Sequence, residues 1–224
     1  MKRLYWTRIT CAALLVAIGT GGNAVAQKAP DAAPAPAAAK DAAPAQAAGA
    51  VHGTLETDKP LHDASIYQLG STWTRADGEK IPLASLRGKV RVIAIFYSSC
   101  EYACPIIVGR MKSVQAALPE AGKDQAGFVL VSMDVAHDDP SKLKEYSKRM
   151  ELEGDWTLLR GSDGDVRELG ALLGFRYRQE QDGGFSHSNM ITVLDREGRV
   201  VHQSIGLETD VTDAVAAVSK LLVP

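Results

Sequence analysis

Two cysteines, Cys100 and Cys104, carry the strongest chemical signal in the chain, with three residues between them in Tyr97-Ser-Ser-Cys100-Glu-Tyr-Ala-Cys104-Pro105. A thiolate is both nucleophile and soft ligand, so a close pair invites either a soft metal ion or a disulfide. A bridge closing so short a loop removes little entropy from the unfolded chain, which argues against a merely stabilising disulfide. The pair is one residue wider than the C-x-x-C redox motif, and the extra residue alters its strain and redox poise. His187 is the second signal, in the polar loop Ser186-His187-Ser188 just ahead of a strand. Taken alone it reads more readily as a solvated or hydrogen-bonded histidine than as a ligand. Brought to the same sheet edge as the cysteines, it would complete a soft trigonal set suited to Cu(I), able to take Cu(II) with an added ligand. Zinc is the rival metal for two thiolates and one imidazole.

Other candidates carry less. His52, His62, His137 and His202 read as structural or solvent-facing, and Asp134 as a turn residue or an acceptor near the cysteines. Met111, Met133, Met150 and Met190 are scattered singly through apolar patterns, as core residues are, and do not suggest a methionine copper site.

The elements that must position these groups follow from periodicity. Lys89 to Tyr97 is a nearly continuous, β-branched apolar run, the pattern of a central strand covered on both faces. Ile107, Met111, Val114 and Leu118 then recur at helical spacing, so the cysteines lie on a strand-to-helix turn. Pro105 suits the first helical position, which puts Cys104 at or just before the helix N-terminus, where free amides and the dipole favour a thiolate. Thr72-Trp-Thr and Ile81-Pro-Leu read as a hairpin about Asp77-Gly78, and Leu83 to Arg87 as a helical turn stopped at Gly88. Gly127 to Met133 predicts a second buried strand, Asp139-Pro140 a helix start, Trp156 to Leu159 a short strand and Asp163 to Leu173 a helix stopped by Gly174. Met190 to Asp195 and Val200 to Ile205 predict a hairpin, and Asp210 to Leu222 a last helix. Alternating strands and helices of this kind build an α/β layer fold with helices on both sides of the sheet.

Residues 1–26 read as a secretory signal peptide: Lys2, Arg3 and Arg8, then apolar Ile9 to Ile18, then Ala24-Val25-Ala26. The apolar run is shorter than the roughly 20 residues of a membrane span, with an uncleaved anchor the alternative reading. Cys11 falls within this leader, so the mature chain is expected to hold only the motif cysteines, too few for a disulfide-built scaffold. Residues 27–52 form an Ala/Pro tract with the near-repeat Asp31-Ala-Ala-Pro and Asp41-Ala-Ala-Pro, a linker or tether without the apolar bulk to fold. Residues 53–224 are long enough for one domain with a single core. With 27 acidic against 25 basic residues and no clustered basic face, a nucleic-acid partner is excluded.

From about Ser65 to Leu222 the chain resembles the Sco/SenC family of thioredoxin-like proteins. The stretches that carry the resemblance are Leu86-Arg-Gly-Lys-Val90, Phe96-Tyr-Ser-Ser-Cys100 with Cys104-Pro105, Val131-Ser-Met-Asp134 followed by Asp139-Pro140, Trp156 to Gly161, Leu173-Gly-Phe-Arg-Tyr177, and His187-Ser188 followed by Leu194-Asp195 and Gly198. Their order and spacing together are specific. The resemblance implies a thioredoxin-like fold, a central mixed sheet with helices on both faces and an N-terminal hairpin, the segment from Arg176 to Gly184 being a further addition. It implies that Cys100, Cys104 and His187 ligate copper, and that the protein delivers copper to an apo-cuproprotein, a cytochrome c oxidase subunit being the expected partner. An exported, periplasmic chain, free or held near the membrane by its tether, fits that role. The rival function is a thiol-disulfide oxidoreductase using Cys100 and Cys104 as a redox-active pair, and a bare interaction module is the third reading. This chain departs from the family in having Glu101 and Tyr102 after the first cysteine, where Pro and an acidic residue are common. It also has Ser186 before the histidine in place of Asp, which removes a carboxylate partner for the imidazole.

Overall fold

Every residue of strand β3 (Val90–Phe96) is buried, because the strand is covered on both faces. Val90, Val92, Ala94 and Phe96 pack into one core, Ile93 and Ile95 into another. The computed structural model describes residues 64–181 and 183–222; the expected leader and linker, with His52 and His62, lie outside them. β3 runs parallel to β4 (Ala126–Ser132), in register from Val90 opposite Ala126 to Phe96 opposite Ser132, and antiparallel to β8 (Met190–Leu194). With β1 (Thr72–Arg75), β2 (Lys80–Pro82), β5 (Trp156–Arg160) and β9 (Val200–Ile205) they form one mixed sheet in the order β2-β1-β5-β4-β3-β8-β9. The first core is closed by α1 (Ala103–Ala117), α2 (Pro140–Arg149) and α4 (Thr212–Leu221), through residues such as Ile107, Met111, Leu143, Tyr146 and Val218. On the other face lie α3 (Asp163–Leu173), through Val166 and Leu169, and 3-10 turns at Ile66–Gln68 and Leu83–Leu86. This is the expected thioredoxin-like α/β architecture, including the N-terminal hairpin, which joins the main sheet where β1 pairs with β5.

Parallel pairing of β3 with β4 puts the loops after both strands at the same edge of the sheet, and the cysteine loop is one of them. The helix behind that loop starts earlier than the position of Pro105 suggests. α1 begins at Ala103 with Tyr102 as its N-cap, so Cys104 is its second residue and Pro105 its third. Pro105 remains compatible because none of the first four helical amides has an acceptor within the helix. A 3-10 turn at Glu120–Gln125, entered through Pro119, connects α1 to β4 and leaves no periodic trace in the sequence.

The larger correction concerns His187. It lies not in a loop but at the end of β7 (Phe185–His187), which pairs antiparallel with β6 (Tyr177–Gln179), Tyr177 opposite His187, in a two-stranded hairpin separate from the main sheet. Strands of three residues, two in each polar, are too short to show a period of two. The hairpin is launched from α3, whose limits are set by a capping box between Ser162 and Asp165 and by Gly174, in the left-handed region at φ 69°.

Gly170 fixes the seat of that hairpin. The Phe175 amide donates to the Gly170 carbonyl at 2.8 Å, and a Cβ on Gly170 would stand 3.2 Å from the Phe175 carbonyl oxygen. A Gly170→Val substitution is expected to push this turn off α3 and lower stability by about 2 kcal/mol through overpacking, measured as an earlier urea midpoint with unchanged slope.

Candidate metal centre

The sulfurs of Cys100 and Cys104 and one ring nitrogen of His187 all lie within 4.8 Å of one another. They come from the loop after β3, the first turn of α1 and the end of β7. The fold therefore gathers, from a separation of 83 residues between Cys104 and His187, the three groups singled out by type. Two soft sulfurs and an imidazole converging on one point suit a soft ion of low coordination number.

Local structure fixes each donor. The Cys100 amide donates to the Tyr97 carbonyl at 3.2 Å, closing the turn that leaves β3, and the Cys104 amide donates to the Cys100 sulfur at 3.3 Å. The sulfur thus takes up one of the free amides at the start of α1, which has no other side-chain cap. His187 places Nδ1 at 2.9 Å from the Ser188 carbonyl oxygen. A carbonyl only accepts, so Nδ1 carries the proton and Nε2 keeps the lone pair that a metal would use. The contact that an acidic residue at position 186 would have offered is made instead by backbone.

Rings hold the imidazole in place. Phe175 stacks on it at 6.1 Å between centroids and 21° between planes, and Tyr97 meets it edge-on at 5.9 Å and 88°. Tyr97 also packs on Phe185 at 5.0 Å, and Tyr177 on both Phe175 and Phe185 at 6.2 Å. These four aromatic residues pack the hairpin against the body of the protein beside the histidine.

Asp138 is the residue that sequence reasoning missed. Its carboxylate, 1% exposed, accepts from the Ser98 amide at 2.9 Å, from the Ser98 hydroxyl, and from the Ser132 hydroxyl at 2.5 Å. It thereby pins the loop two residues before Cys100 to the end of β4. Arg149 on α2 secures the same loop, donating to the Ser98 carbonyl at 2.7 Å. The available signal was the doublet Asp138-Asp139, since the N-cap of α2 needs only Asp139, which accepts from the Lys142 amide at 2.9 Å. Asp134 holds a turn and binds the His137 ring at 2.8 Å, and makes none of these contacts with the cysteine loop. His202 pairs with the Ser204 hydroxyl at 3.1 Å. Met111, Met133 and Met190 are buried and Met150 packs against the core, as expected of structural methionines.

Both thiols are free and they are not equivalent. Burial opposes the Cys100 thiolate, yet hydrogen bonds from the Cys104 amide and thiol, the Tyr102 backbone and the Tyr97 hydroxyl outweigh it and hold its pKa below the ordinary thiol value. Burial pushes the Cys104 thiol far up; a hydrogen bond with the Tyr97 backbone offsets part of this, and the neighbouring Cys100 adds to it. Cys104 is 0% exposed and Cys100 8%. Alkylation of the reduced native protein is therefore expected to label Cys100 alone, with a rate that rises at lower pH than for an ordinary cysteine, and Cys104 only after unfolding, as peptide mapping by mass spectrometry would show. Asp138→Ala should cost about 3 kcal/mol in urea unfolding, because it leaves the buried Ser98 and Ser132 donors without their acceptor.

Comparison with known proteins places the chain. Residues 65–223 match the SCO1/SenC family. A SCO1 protein homolog of Bacillus subtilis (strain 168) is 26% identical over 149 residues, covering 64% of this chain and 76% of that one. Among solved structures, Bradyrhizobium japonicum ScoI with copper bound superposes with a TM-score of 0.57 at 23% identity, over 68% of this chain and 97% of that one. BsSco, a member of the Sco family of cytochrome c oxidase assembly proteins in which a disulfide switch was identified, superposes with a TM-score of 0.58 at 24% identity, over 67% and 90%. At these identities the superpositions establish a shared fold, and the match over most of the folded region establishes the lineage: the chain belongs to the SCO1/SenC family.

Proposed function

We propose that the protein is a copper metallochaperone that takes up copper through Cys100, Cys104 and His187 and passes it to an apo-cuproprotein. The observation that carries this reading is the convergence of two sulfurs and one imidazole nitrogen within 4.8 Å. The chemistry of that set favours Cu(I), with Cu(II) accommodated by an added ligand, and the relative with copper bound supports copper over zinc. Binding requires both thiols reduced and displaces their protons, so a Cys100–Cys104 disulfide would switch delivery off. Release runs by ligand exchange: an incoming thiolate or imidazole of the acceptor replaces one ligand at a time, and the ion is never left bare.

The acceptor we infer is the copper site of a respiratory oxidase, a cytochrome c oxidase subunit, in line with the assembly role named for BsSco. The leader at 1–26 would export the chain to the periplasm, or anchor it at the inner membrane facing that compartment, and the Ala/Pro tract at 27–52 would tether the folded domain of 53–224. One observation favours a second reading. A more accessible, more acidic thiol beside a buried one is also the arrangement of an attacking and a resolving cysteine, so a thiol-disulfide oxidoreductase acting on cuproprotein cysteines is the alternative.

Anaerobic titration of the reduced protein with Cu(I) against a competing chelator separates the two. A single tight site is expected, weakened at least about 100-fold in His187→Ala, more than the loss of an outer contact would produce. Cu(I) binding that is weak or indifferent to His187, together with ready cycling of the dithiol against glutathione, would overturn the chaperone reading in favour of the oxidoreductase.

A further inference from the structure

Tyr97 is the one half-buried apolar residue, among those described, that packs against both cores of the protein. It ends the apolar run of β3 and opens the cysteine loop, its carbonyl accepting from the Cys100 amide at 3.2 Å. Its ring is the part of that loop that reaches the hairpin, touching Phe185 at 5.0 Å and His187 at 5.9 Å. The hairpin itself belongs to a separate two-stranded sheet, with no ladder to β3 or β8. The distance between His187 and the sulfurs is therefore set by the short run of chain from His187 into β8 and by side-chain packing, and Tyr97 stands where the two parts meet.

The geometry points to Tyr97 as a positioning residue, whose ring and hydroxyl tie the hairpin carrying His187 to the loop carrying Cys100, so that the three candidate ligands are assembled before a metal arrives. Its hydroxyl lies between the two parts, close enough to the Cys100 sulfur and to the Phe185 backbone to interact with both. One oxygen thus couples the strand of His187 to the most accessible ligand sulfur. Ring packing alone would hold the hairpin against the body, but it would not fix the sliding of a flat ring along its neighbours. A hydroxyl interacting on both sides, with the sulfur and with the Phe185 backbone, limits that sliding. This rests on the three-ligand reading above and deepens it, since it assigns the residue that makes the set act as one site.

The test is Tyr97→Phe in the full chain, which keeps the ring and removes only the oxygen. Loss of one hydroxyl from a half-buried ring leaves the fold intact, and an unchanged melting temperature serves as the control. In the reduced, metal-free protein, amide exchange across 177–187 is expected to quicken in Tyr97→Phe while exchange in β3 and β4 stays as it was. Cu(I) affinity is expected to fall about tenfold, the size of an outer-contact loss, and the nitrogen hyperfine coupling of the Cu(II) form to weaken. His187→Ala should cost less in the Tyr97→Phe background than in the wild type, because the two act on the same ligand. Wild-type exchange, affinity and hyperfine coupling in Tyr97→Phe, with His187→Ala still damaging, would overturn the role of Tyr97 and leave the ligand set standing. Indifference of Cu(I) affinity to His187→Ala alone would overturn the ligand set, and the role of Tyr97 with it.

Discussion

A buried carboxylate, Asp138, is the constraint on which the site depends. The ends of β3 and β4 lie side by side because the strands are parallel, but nothing in a sheet ladder controls the loops that leave them. Asp138 does so by accepting from Ser98 in one loop and Ser132 at the end of the other strand. A buried charge is tolerated only when its lone pairs are taken up, and here amide and hydroxyl donors provide that. The Arg149 bond to the Ser98 carbonyl holds the same residue from the side of α2. With Ser98 fixed from two directions, Cys100 two residues later has little freedom, and the start of α1 follows from the Cys100 sulfur accepting the Cys104 amide.

From that anchored loop the two cysteines diverge in environment. Cys104, on the inner side of the first turn of α1, faces the core that contains Ile107, Phe96 and Tyr146. Cys100 sits at the rim, next to the exposed Glu101 and Tyr102. One sulfur is thus kept from solvent and the other is reachable, a division set by the helix and not by the pair itself. The same division serves either chemistry of a dithiol, metal exchange or disulfide exchange, because both begin at the reachable sulfur. What distinguishes them is the imidazole, which has no part in a simple dithiol cycle.

The contrast between what the sequence revealed and what it hid follows the range of the forces involved. The span of α3 was legible to the residue because Ser162 and Gly174 act on their own neighbours, and β3 was legible because burial on both faces writes an unbroken apolar run. Cys100, Cys104 and His187 were legible by residue type and by the resemblance their surroundings carry. The hairpin of β6 and β7 was not, since its strands are three residues long and its attachment depends on Tyr97 and Phe175, distant from β7 in sequence. Asp138 was hidden by Asp139, whose capping role accounted for an aspartate at that point. The early start of α1 was hidden because the feature that replaces a capping side chain is a cysteine sulfur, a residue read first for its chemistry.

Ser186 and Ser188 bear on how firmly the imidazole would hold a metal. A carboxylate hydrogen-bonded to the far nitrogen of a ligating histidine raises its basicity and strengthens the bond, whereas a backbone carbonyl is neutral and polarises the ring less. Here the far nitrogen meets the Ser188 carbonyl, and position 186 offers no carboxylate. On the three-ligand reading, the ring is well oriented but a weaker donor than it would be beside an acid. Orientation favours loading, since the donor need not search for its place. Modest basicity favours release, since an incoming ligand has less to displace. On the proposed delivery role both are needed, and an imidazole steered by rings and a backbone carbonyl would supply them without the added charge that would hold the ion back.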